Sequence, residues 1–256
     1  MIDIVKMIDM RHIKCKFLLF LILLAFNSSI LSASGVNLRG KNLQKQHKNE
    51  QVDGGISLAP LYGKTINVIG DSYVKNHRRP YEEAWHYLVA RKYKMNYRNY
   101  GRNGRCLVFD RTAEKWGKPM LEYYREMNDT ADYVLVIGGH NDADYIARGK
   151  GTLLQFEVGL DSLCRGLIAK YPSAKLAFVT PWRVPGQAFE AVTSVIKKVC
   201  GNYSIPVFDA SSCSGIYVWD ETFRKLYFQG PNDMAHLNAK GHLLFFRKGE
   251  TFLLGL

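Results

Sequence analysis

A serine that follows a short apolar run is the first residue in this sequence whose position suits chemistry. The run at 65–69 (Thr-Ile-Asn-Val-Ile) is followed by Gly70, Asp71 and Ser72, and such a run is typical of a buried strand. A hydroxyl at the carboxyl end of a strand lies where open α/β sheets bind their ligands. Gly-Asp-Ser is also ordinary turn chemistry, and Ser or Asp before a helix is often only an N-cap. Ser72 is therefore a candidate nucleophile whose case depends on the partners that the rest of the chain supplies.

The elements that would position Ser72 are predicted by alternating apolar segments of two kinds. Besides 65–69, strands are predicted over residues 95–99, 133–137, 175–180 and 206–208. Helices are predicted over residues 80–92, 111–128, 160–171 and 189–203, and from about Asn238 towards the C-terminus. Strands alternating with such helices indicate a parallel sheet covered on both faces. We therefore expect an α/β fold, a three-layer α/β/α sandwich with a mostly parallel, flavodoxin-like sheet of about five strands.

Three further polar motifs occur where predicted strands end or where the last helix begins. They are Asn-Tyr-Gly-Arg-Asn-Gly at 99–104, Gly-His-Asn-Asp at 139–142 and Asp-Met-Ala-His at 233–236. In a parallel sheet the loops that leave the carboxyl ends of the strands converge on one edge. The sequence therefore predicts that these motifs lie close to Ser72.

Together with Gly70-Asp71-Ser72, these motifs resemble the four ordered sequence blocks of the SGNH, or GDSL-type, hydrolase family. The resemblance covers about residues 62–256 and keeps the block order of the family. It implies the sandwich fold expected above and the activity of esterases, lipases or polysaccharide deacylases. It also implies chemistry that needs neither a metal nor another cofactor.

The resemblance implies a role for three residues in acyl transfer. Ser72 would be the nucleophile, His236 its general base and Asp233 the carboxylate that orients the histidine. A serine hydroxyl is a weak nucleophile until an imidazole accepts its proton, and that imidazole needs its other nitrogen held. The three-residue spacing predicts Asp233 and His236 on the same side of one helical turn. Without Ser72 and Asn141, His236 would be interpreted as a helix-cap or core histidine.

The resemblance also implies an oxyanion hole. Its donors would be the backbone N–H groups of Ser72 and Gly104 and the side-chain amide of Asn141. Glycine lets the backbone approach a substrate closely, and an amide donates a hydrogen bond without carrying charge. Gly101 belongs to the same motif, and both glycines could merely shape a turn. The resemblance favours Gly104, because its distance from Asn99 fits the pattern of the family better.

The N-terminal segment has the features of an export signal. In residues 1–34, Arg11, Lys14 and Lys16 precede an apolar run at 17–26, and small residues follow. The run is short for a membrane span, although an uncleaved anchor stays open. Residues 35–59 have the polar composition of a flexible tether, and residues 60–256 form the predicted hydrolase domain. We expect a secreted or periplasmic protein that is not stably inserted in a membrane after signal cleavage.

Composition limits the classes of partner. The chain has 256 residues, is 47% hydrophobic and carries a formal net charge of +12, which suits one domain with a substantial core. The basic excess favours encounter with anionic surfaces. The basic residues are scattered and lack the pattern of a nucleic-acid module, so no nucleic-acid partner is expected.

The cysteines and the remaining polar residues of the motifs receive structural interpretations. After the signal, an even number of cysteines allows three complete pairings or buried free thiols, and the sequence leaves the choice open. Asp142 is expected to fix its loop by accepting backbone N–H bonds, and His242 to lie in the last helix. His236 and His242 lack zinc-site spacing, so no metal is expected. The four cysteines are Cys106, Cys164, Cys200 and Cys213.

The expected function is hydrolysis of small or glycan-borne carboxylic esters, especially short acyl groups such as O-acetyl, through an acyl-serine intermediate. Trp116, Trp182 and Trp219 could stack on sugar rings, although a core role is expected for any single one. Two alternatives stay open: a glycan O-acyltransferase that uses the same triad, and a non-catalytic glycan-binding module. The sequence does not specify the acyl length, the alcohol or the oligomeric state.

Overall fold

A parallel sheet positions the candidate site. The computed structural model describes residues 59–256, and its strands follow the order β2-β1-β3-β4-β5 with every neighbouring pair parallel. From β1 the chain adds β2 on one side of the sheet and then β3, β4 and β5 on the other side. In such folds ligands bind in the crevice beyond the carboxyl ends of the strands, at the point between β1 and β3 where the strand order reverses. The predicted α/β fold is thus confirmed. The strands are β1 Thr65–Gly70, β2 Asn96–Gly101, β3 Tyr133–Ile137, β4 Lys175–Val179 and β5 Val207–Phe208.

Helices cover both faces of this sheet. Short 3₁₀ turns at Tyr81–Glu83 and Tyr124–Glu126 accompany them. Two of the three longest helices begin with side-chain caps: Thr152 and Gln155 form a reciprocal capping box, and Asn238 accepts the Gly241 N–H. The helices are α1 Ser72–Lys75, α2 Trp85–Lys92, α3 Met120–Tyr123, α4 His140–Ala147, α5 Leu153–Lys170, α6 Gln187–Asn202, α7 Ala210–Cys213, α8 Glu221–Tyr227 and α9 Ala239–Leu254.

The uninterrupted apolar composition of β3 results from burial on both faces. Leu135 and Ile137 pack into the cluster that includes Trp85 of α2 and Phe245 of α9. Val134 and Val136 point to the opposite cluster, which contains the inner faces of α5 and α6. Because side chains alternate along a strand, a strand covered on both sides needs apolar residues at every position. This two-sided packing holds the strand ends in place.

The predicted helix over 111–128 is wrong for most of its length. Only α3 and one 3₁₀ turn form there, whereas Arg111 and Gly117 pair as an isolated antiparallel bridge. Gly117 has a φ of +86°, and Pro119 directly precedes α3. A left-handed glycine and a proline end regular structure, so the helix is confined to the residues after Pro119.

The cysteines are free thiols in the described chain. Cys106, Cys164 and Cys200 are buried, whereas Cys213 is exposed. Cys164 lies on α5 and Cys200 on α6, and the neighbouring Cys164 thiol together with burial raises the pKa of the Cys200 thiol. This arrangement corresponds to the buried-thiol alternative that the sequence left open.

The predicted export signal at 1–34 and all but the last residue of the predicted tether at 35–59 lie outside the described residues. Within residues 59–256, no helix combines the length and the apolar character that crossing a bilayer requires.

Candidate active site

Ser72 lies at the carboxyl end of β1, where the chain turns into α1. Asp71 caps this short helix by accepting the Tyr73 N–H, so the serine is presented in the first helical turn. The Ser72 hydroxyl is 2.9 Å from Nε2 of His236, although 164 positions separate the two residues in the sequence. The predicted meeting of the Gly-Asp-Ser turn with the C-terminal motif therefore occurs in the structure.

The segment that supplies His236 also supplies its acidic partner. Asp233 Oδ2 is 2.9 Å from Nδ1 of His236, while Oδ1 accepts the backbone N–H groups of Ala235 and His236, each at 2.9 Å. The prediction that Asp233 and His236 share a helical turn is wrong, because residues 231–236 form turns and bends before α9. A carboxylate that accepts the N–H groups two and three residues after it can hold such a loop in place without a helix.

The charge state of Asp233 suits a partner of histidine. Burial alone would raise its pKa, but the hydrogen bond from His236, the charge of that ring and the backbone N–H groups together lower the pKa below its usual value. Asp233 is therefore ionised at neutral pH and accepts the Nδ1 proton. The Nε2 lone pair is then left facing the Ser72 hydroxyl, which is the tautomer that can take a proton from serine.

Two backbone N–H groups beside Ser72 are unengaged. Neither the Ser72 N–H nor the Gly104 N–H donates a hydrogen bond to any group within residues 59–256. The Gly101 N–H, in contrast, donates to Asn99 Oδ1 at 2.8 Å. Between the two glycines of this motif, the hydrogen-bonding pattern thus favours Gly104 as an available donor.

Gly104 could not be replaced by a residue with a side chain in this conformation. Its φ is +74°, and a Cβ atom would lie 2.4 Å from the ring of Trp116. Trp116 packs over the glycine while remaining partly exposed. Both the left-handed backbone and the aromatic cover therefore require glycine here.

Asn141 connects its own motif to Gly-Asp-Ser and to the residue that directly follows the motif at 99–104. It lies in the first turn of α4, after Gly139, whose φ is +110°. Its Nδ2 donates to Asp71 Oδ2 at 3.2 Å and to the backbone oxygen of Arg105 at 3.1 Å. Both amide hydrogens have partners, so an oxygen of a bound substrate would compete with one of them.

Asp71 is fully buried behind Asn141. Burial raises the pKa of this carboxyl to about 8, the nearby Asp142 adds to the rise, and the bonds from Tyr73 and Asn141 only partly offset it. The group is therefore largely neutral at pH 7. A neutral carboxyl is a weaker acceptor than a carboxylate, so it competes less for the Asn141 hydrogen.

Asp142 has the structural role predicted for it. Its carboxyl oxygens accept the N–H groups of Leu107 and Val108 at 2.8 and 2.9 Å. These bonds tie the segment after Gly104 to α4 and so hold two of the motifs together. His242 lies in α9 as expected, where its Nδ1 accepts the Trp85 N–H and its Nε2 contacts Asn76 Oδ1.

Two residues near His236 were missed by the sequence analysis. The His77 ring stacks on His236 with a centroid distance of 4.0 Å and an angle of 11° between the planes. Tyr73 packs against Trp182 and contacts Nδ1 of His140 through its hydroxyl. Both lie within five residues of Ser72, but no periodicity or spacing marks an aromatic contact made across the fold.

An open cleft of about 550 Å³ lies beside these residues. Its lining combines polar side chains, among them His77, Arg78, His140, Asn232 and Asp233, with a smaller number of apolar residues. Clefts that bind small molecules usually have volumes of about 300–1,000 Å³, so a compact substrate fits. Within residues 59–256, no three His, Cys, Asp or Glu side chains are grouped as a metal site would require.

The sequence profile of the GDSL-like lipase/acylhydrolase family matches residues 68–244, a span that includes all four motifs. The chain belongs to this family. No curated protein matches the chain. The family assignment confirms the resemblance drawn from the motifs.

Solved structures of esterases have the same fold. A carbohydrate acetylesterase, Est24 of Sinorhizobium meliloti, is 17% identical with a TM-score of 0.59, over 75% of this chain and 99% of that one. An aryl esterase of M. smegmatis is 17% identical with a TM-score of 0.58, over 75% of this chain and 99% of that one. The esterase EstA of Pseudoalteromonas sp. is 19% identical with a TM-score of 0.56, over 74% of this chain and 96% of that one. At these identities the similarity establishes the fold.

Proposed function

We propose that this protein is an exported serine esterase that removes short acyl groups, such as O-acetyl, from a glycan or another small alcohol. The observation that carries the proposal is the continuous hydrogen-bonded chain from the Ser72 hydroxyl through His236 to Asp233. A protein that only bound glycans would have no use for this chain. Family membership supports ester hydrolysis as the reaction class.

The first half of the reaction acylates Ser72. His236 Nε2 accepts the hydroxyl proton as Oγ attacks the ester carbonyl, and Asp233 stabilises the imidazolium that results. The negative charge on the carbonyl oxygen is stabilised by the N–H groups of Ser72 and Gly104 and by the Asn141 amide. His236 then gives its proton to the oxygen of the leaving alcohol. The alcohol departs, and Ser72 remains acylated.

The second half of the reaction uses water. His236 accepts a proton from water as the water oxygen attacks the acyl carbonyl, and the same donors stabilise the new oxyanion. Return of the proton to Ser72 Oγ breaks the acyl–oxygen bond and releases the carboxylic acid. If a sugar hydroxyl replaced water, the product would be a newly acylated sugar.

The small number of apolar residues in the cleft supports short acyl groups. Val184, Pro231, Met234 and Ala235 are the apolar residues among the twelve that line it. Each methylene of an acyl chain gains about 0.8 kcal/mol only if it is buried against apolar surface. A long chain would therefore gain little, in keeping with acetyl or similar groups. The basic and apolar pattern of residues 1–34 supports export.

A chain-length series of 4-nitrophenyl esters tests the proposal. We expect acetate and butyrate to be hydrolysed faster than octanoate or longer esters, and Ser72→Ala to lose at least about 10³-fold in kcat. Ser212→Ala, which changes an exposed serine on α7, is the control and should match the wild type. If Ser72→Ala were as active as the wild type, Ser72 would be rejected as the nucleophile. Acetyl transfer to an added sugar in preference to water would instead support the acyltransferase.

A further inference from the structure

A second cavity, of about 210 Å³, lies next to the cleft that contains His236. It is enclosed by the segment after β4 and by one face of α6. Val184 lines both spaces, and Phe189 of this cavity packs edge-on against His140 of the cleft with ring centroids 5.0 Å apart. A ligand that occupies the cleft could therefore extend into the cavity.

An exposed tryptophan stands at the edge of this cavity. The Trp219 side chain is 65% exposed, and its Nε1 donates to the backbone oxygen of Arg183 at 3.0 Å. Arg183 is one of the residues that line the cavity. The hydrogen bond fixes the indole and satisfies its polar atom, so the ring presents a flat apolar face to solvent. Such a face suits the C–H side of a sugar ring, which is apolar and flat on the same scale.

The charges around the cavity cancel. Arg183 pairs with Glu190 at 2.7 Å, and Lys197 pairs with Asp209 at 2.7 Å. An anionic ligand would find no excess positive charge here. A sugar hydroxyl both donates and accepts hydrogen bonds, and these paired side chains together offer donors and acceptors. The charge balance therefore favours a neutral, hydroxyl-rich ligand.

We infer that this cavity, with Trp219 at its edge, is a subsite for a second neutral sugar unit on the alcohol side of the ester. The inference rests on the proposed esterase function, because the acylated sugar must lie in the cleft beside Ser72. The volume of about 210 Å³ is below that of drug-sized pockets, about 300–1,000 Å³, so it suits one sugar ring. The preferred substrate would then be an acylated disaccharide or longer glycan.

Kinetics with matched esters test the subsite. The wild type should have about tenfold higher kcat/KM for mono-O-acetylated cellobiose, xylobiose or chitobiose than for the corresponding acetylated monosaccharide. Trp219→Ala should lose this preference while its rate with 4-nitrophenyl acetate stays within about twofold of wild type. Trp219→Phe keeps the flat face and should retain most of the preference. The control is Tyr217→Ala, because Tyr217 is equally exposed at 65% but packs against Phe223.

Binding measurements separate this inference from the reaction. Titration calorimetry with the three unacylated disaccharides would use Ser72→Ala protein with and without Trp219→Ala. We expect binding that weakens about tenfold when the indole is removed. A disaccharide that carries a uronate should bind no more tightly than its neutral counterpart, and tighter binding would overturn the neutral character of the site.

The outcomes distinguish failure of the subsite from failure of the esterase. If 4-nitrophenyl acetate is hydrolysed but no disaccharide is preferred or bound through Trp219, the subsite is rejected and the esterase stands. If no ester is hydrolysed, the proposed function fails. The sugar site is then judged from calorimetry alone: disaccharide binding that weakens in Trp219→Ala supports it, and the lack of such binding rejects it. Unchanged preference in Trp219→Ala overturns the inference directly.

Discussion

Two carboxyl groups serve the candidate site from opposite environments. Asp233 stands beside the histidine, is partly exposed and has a pKa below its usual value. Asp71 lies behind Asn141, is fully buried and has its pKa raised to about 8. At pH 7 the first is ionised and the second is largely neutral.

The difference arises from what each carboxyl contacts. Asp233 receives an imidazole N–H and two backbone N–H groups, and the imidazole can become positive. Asp71 receives neutral donors, while Asp142 close by adds unfavourable negative charge. Burial without a cationic partner favours the protonated acid.

The two charge states suit the two charges that acyl transfer creates. In the proposed mechanism a negative Asp233 stabilises the imidazolium formed on His236, whereas a negative Asp71 would lie behind the Asn141 amide that is proposed to bind the oxyanion. Environments that separate the pKa values of neighbouring acids are a recurrent way to assign different roles to them. The comparison therefore predicts that the two acids respond differently to the same Asp→Asn change.

The largest effect is expected for Asp233→Asn. The amide cannot accept the Nδ1 proton and stabilise imidazolium as a carboxylate does, so kcat should fall about 10³–10⁴-fold with little change in KM. Steady-state kinetics with 4-nitrophenyl acetate measure this loss. Asp110→Asn is the matched control, because Asp110 also accepts the backbone N–H two residues ahead, at 2.8 Å, but lies in an exposed loop. A loss below about tenfold in Asp233→Asn would remove this acid from the mechanism.

Asn141→Ala should have the next largest effect. It removes the proposed oxyanion donor and also leaves Asp71 without one of its hydrogen-bond donors, so we expect kcat to fall about 10²–10³-fold. Binding of a phosphonate that mimics the tetrahedral intermediate should weaken in parallel. If kcat falls while phosphonate affinity stays unchanged, Asn141 acts through the loops that it connects and not on the oxyanion.

Asp71→Asn should have a smaller effect with a distinct pH dependence. One amide oxygen cannot accept from both Tyr73 and Asn141, and a lost hydrogen bond of about 0.5–1.5 kcal/mol lowers the rate up to about tenfold. In the wild type, kcat should decline above about pH 8 as Asp71 ionises and competes for the Asn141 hydrogen. The variant should lack that decline between pH 8 and 9.

The same substitution has a stability signature whose sign follows from linkage. The folded pKa of about 8 lies above the ordinary aspartate pKa of 3.8, so between these values the folded protein binds more protons than the unfolded chain. The contribution of Asp71 to the free energy of unfolding therefore falls as pH rises from about 4 to about 8. Urea unfolding at pH 5 and pH 8 should show a smaller drop for Asp71→Asn than for wild type. Equal drops would mean that Asp71 is ionised throughout.

Much of the fold was predictable because its signals are local. The strand at 133–137 and the start of α9 after Asn238 follow from apolar runs and a capping residue. Helix α4 was not predicted, because its residues 140–147 carry the polar motif and show little periodicity. Glu221–Tyr227 was missed for a similar reason, since none of its residues is buried.

The site was predictable in its members but not in its electrostatics. Ser72, His236 and Asp233 stand out by residue type and order, and the structure brings them within hydrogen-bonding distance. The raised pKa of Asp71 depends on full burial next to Asp142, which no spacing in the sequence reveals. The stacking of His77 on His236 likewise depends on two loops that meet only in the folded chain.

The smallest effect is expected for substitution of His77, whose neutral ring stacks on His236, the hydrogen-bond partner of Asp233. Its pKa is lowered first by burial and then by the neighbouring His236 and Arg78, with Asp233 acting in the opposite direction. His77 is therefore neutral at pH 7 and becomes charged only in acid, where its cation lies 4.0 Å from the ring that must itself become positive. At that distance two charges repel by about 1 kcal/mol in a water-like dielectric, or roughly fivefold in rate.

His77→Phe keeps a flat ring on His236 and removes this charge. We expect the variant to match wild type at pH 7–8 and to exceed it by up to about fivefold at the acidic pH where His77 becomes charged, measured as kcat/KM with 4-nitrophenyl acetate across the pH range. His77→Ala removes both ring and charge, so a loss at pH 7 confined to the alanine variant would assign positioning to the stacked ring. If wild type and His77→Phe had superimposable pH–rate profiles, the charge on His77 would have no effect on the rate. The loss of activity in acid would then reflect only Ser72, His236 and Asp233.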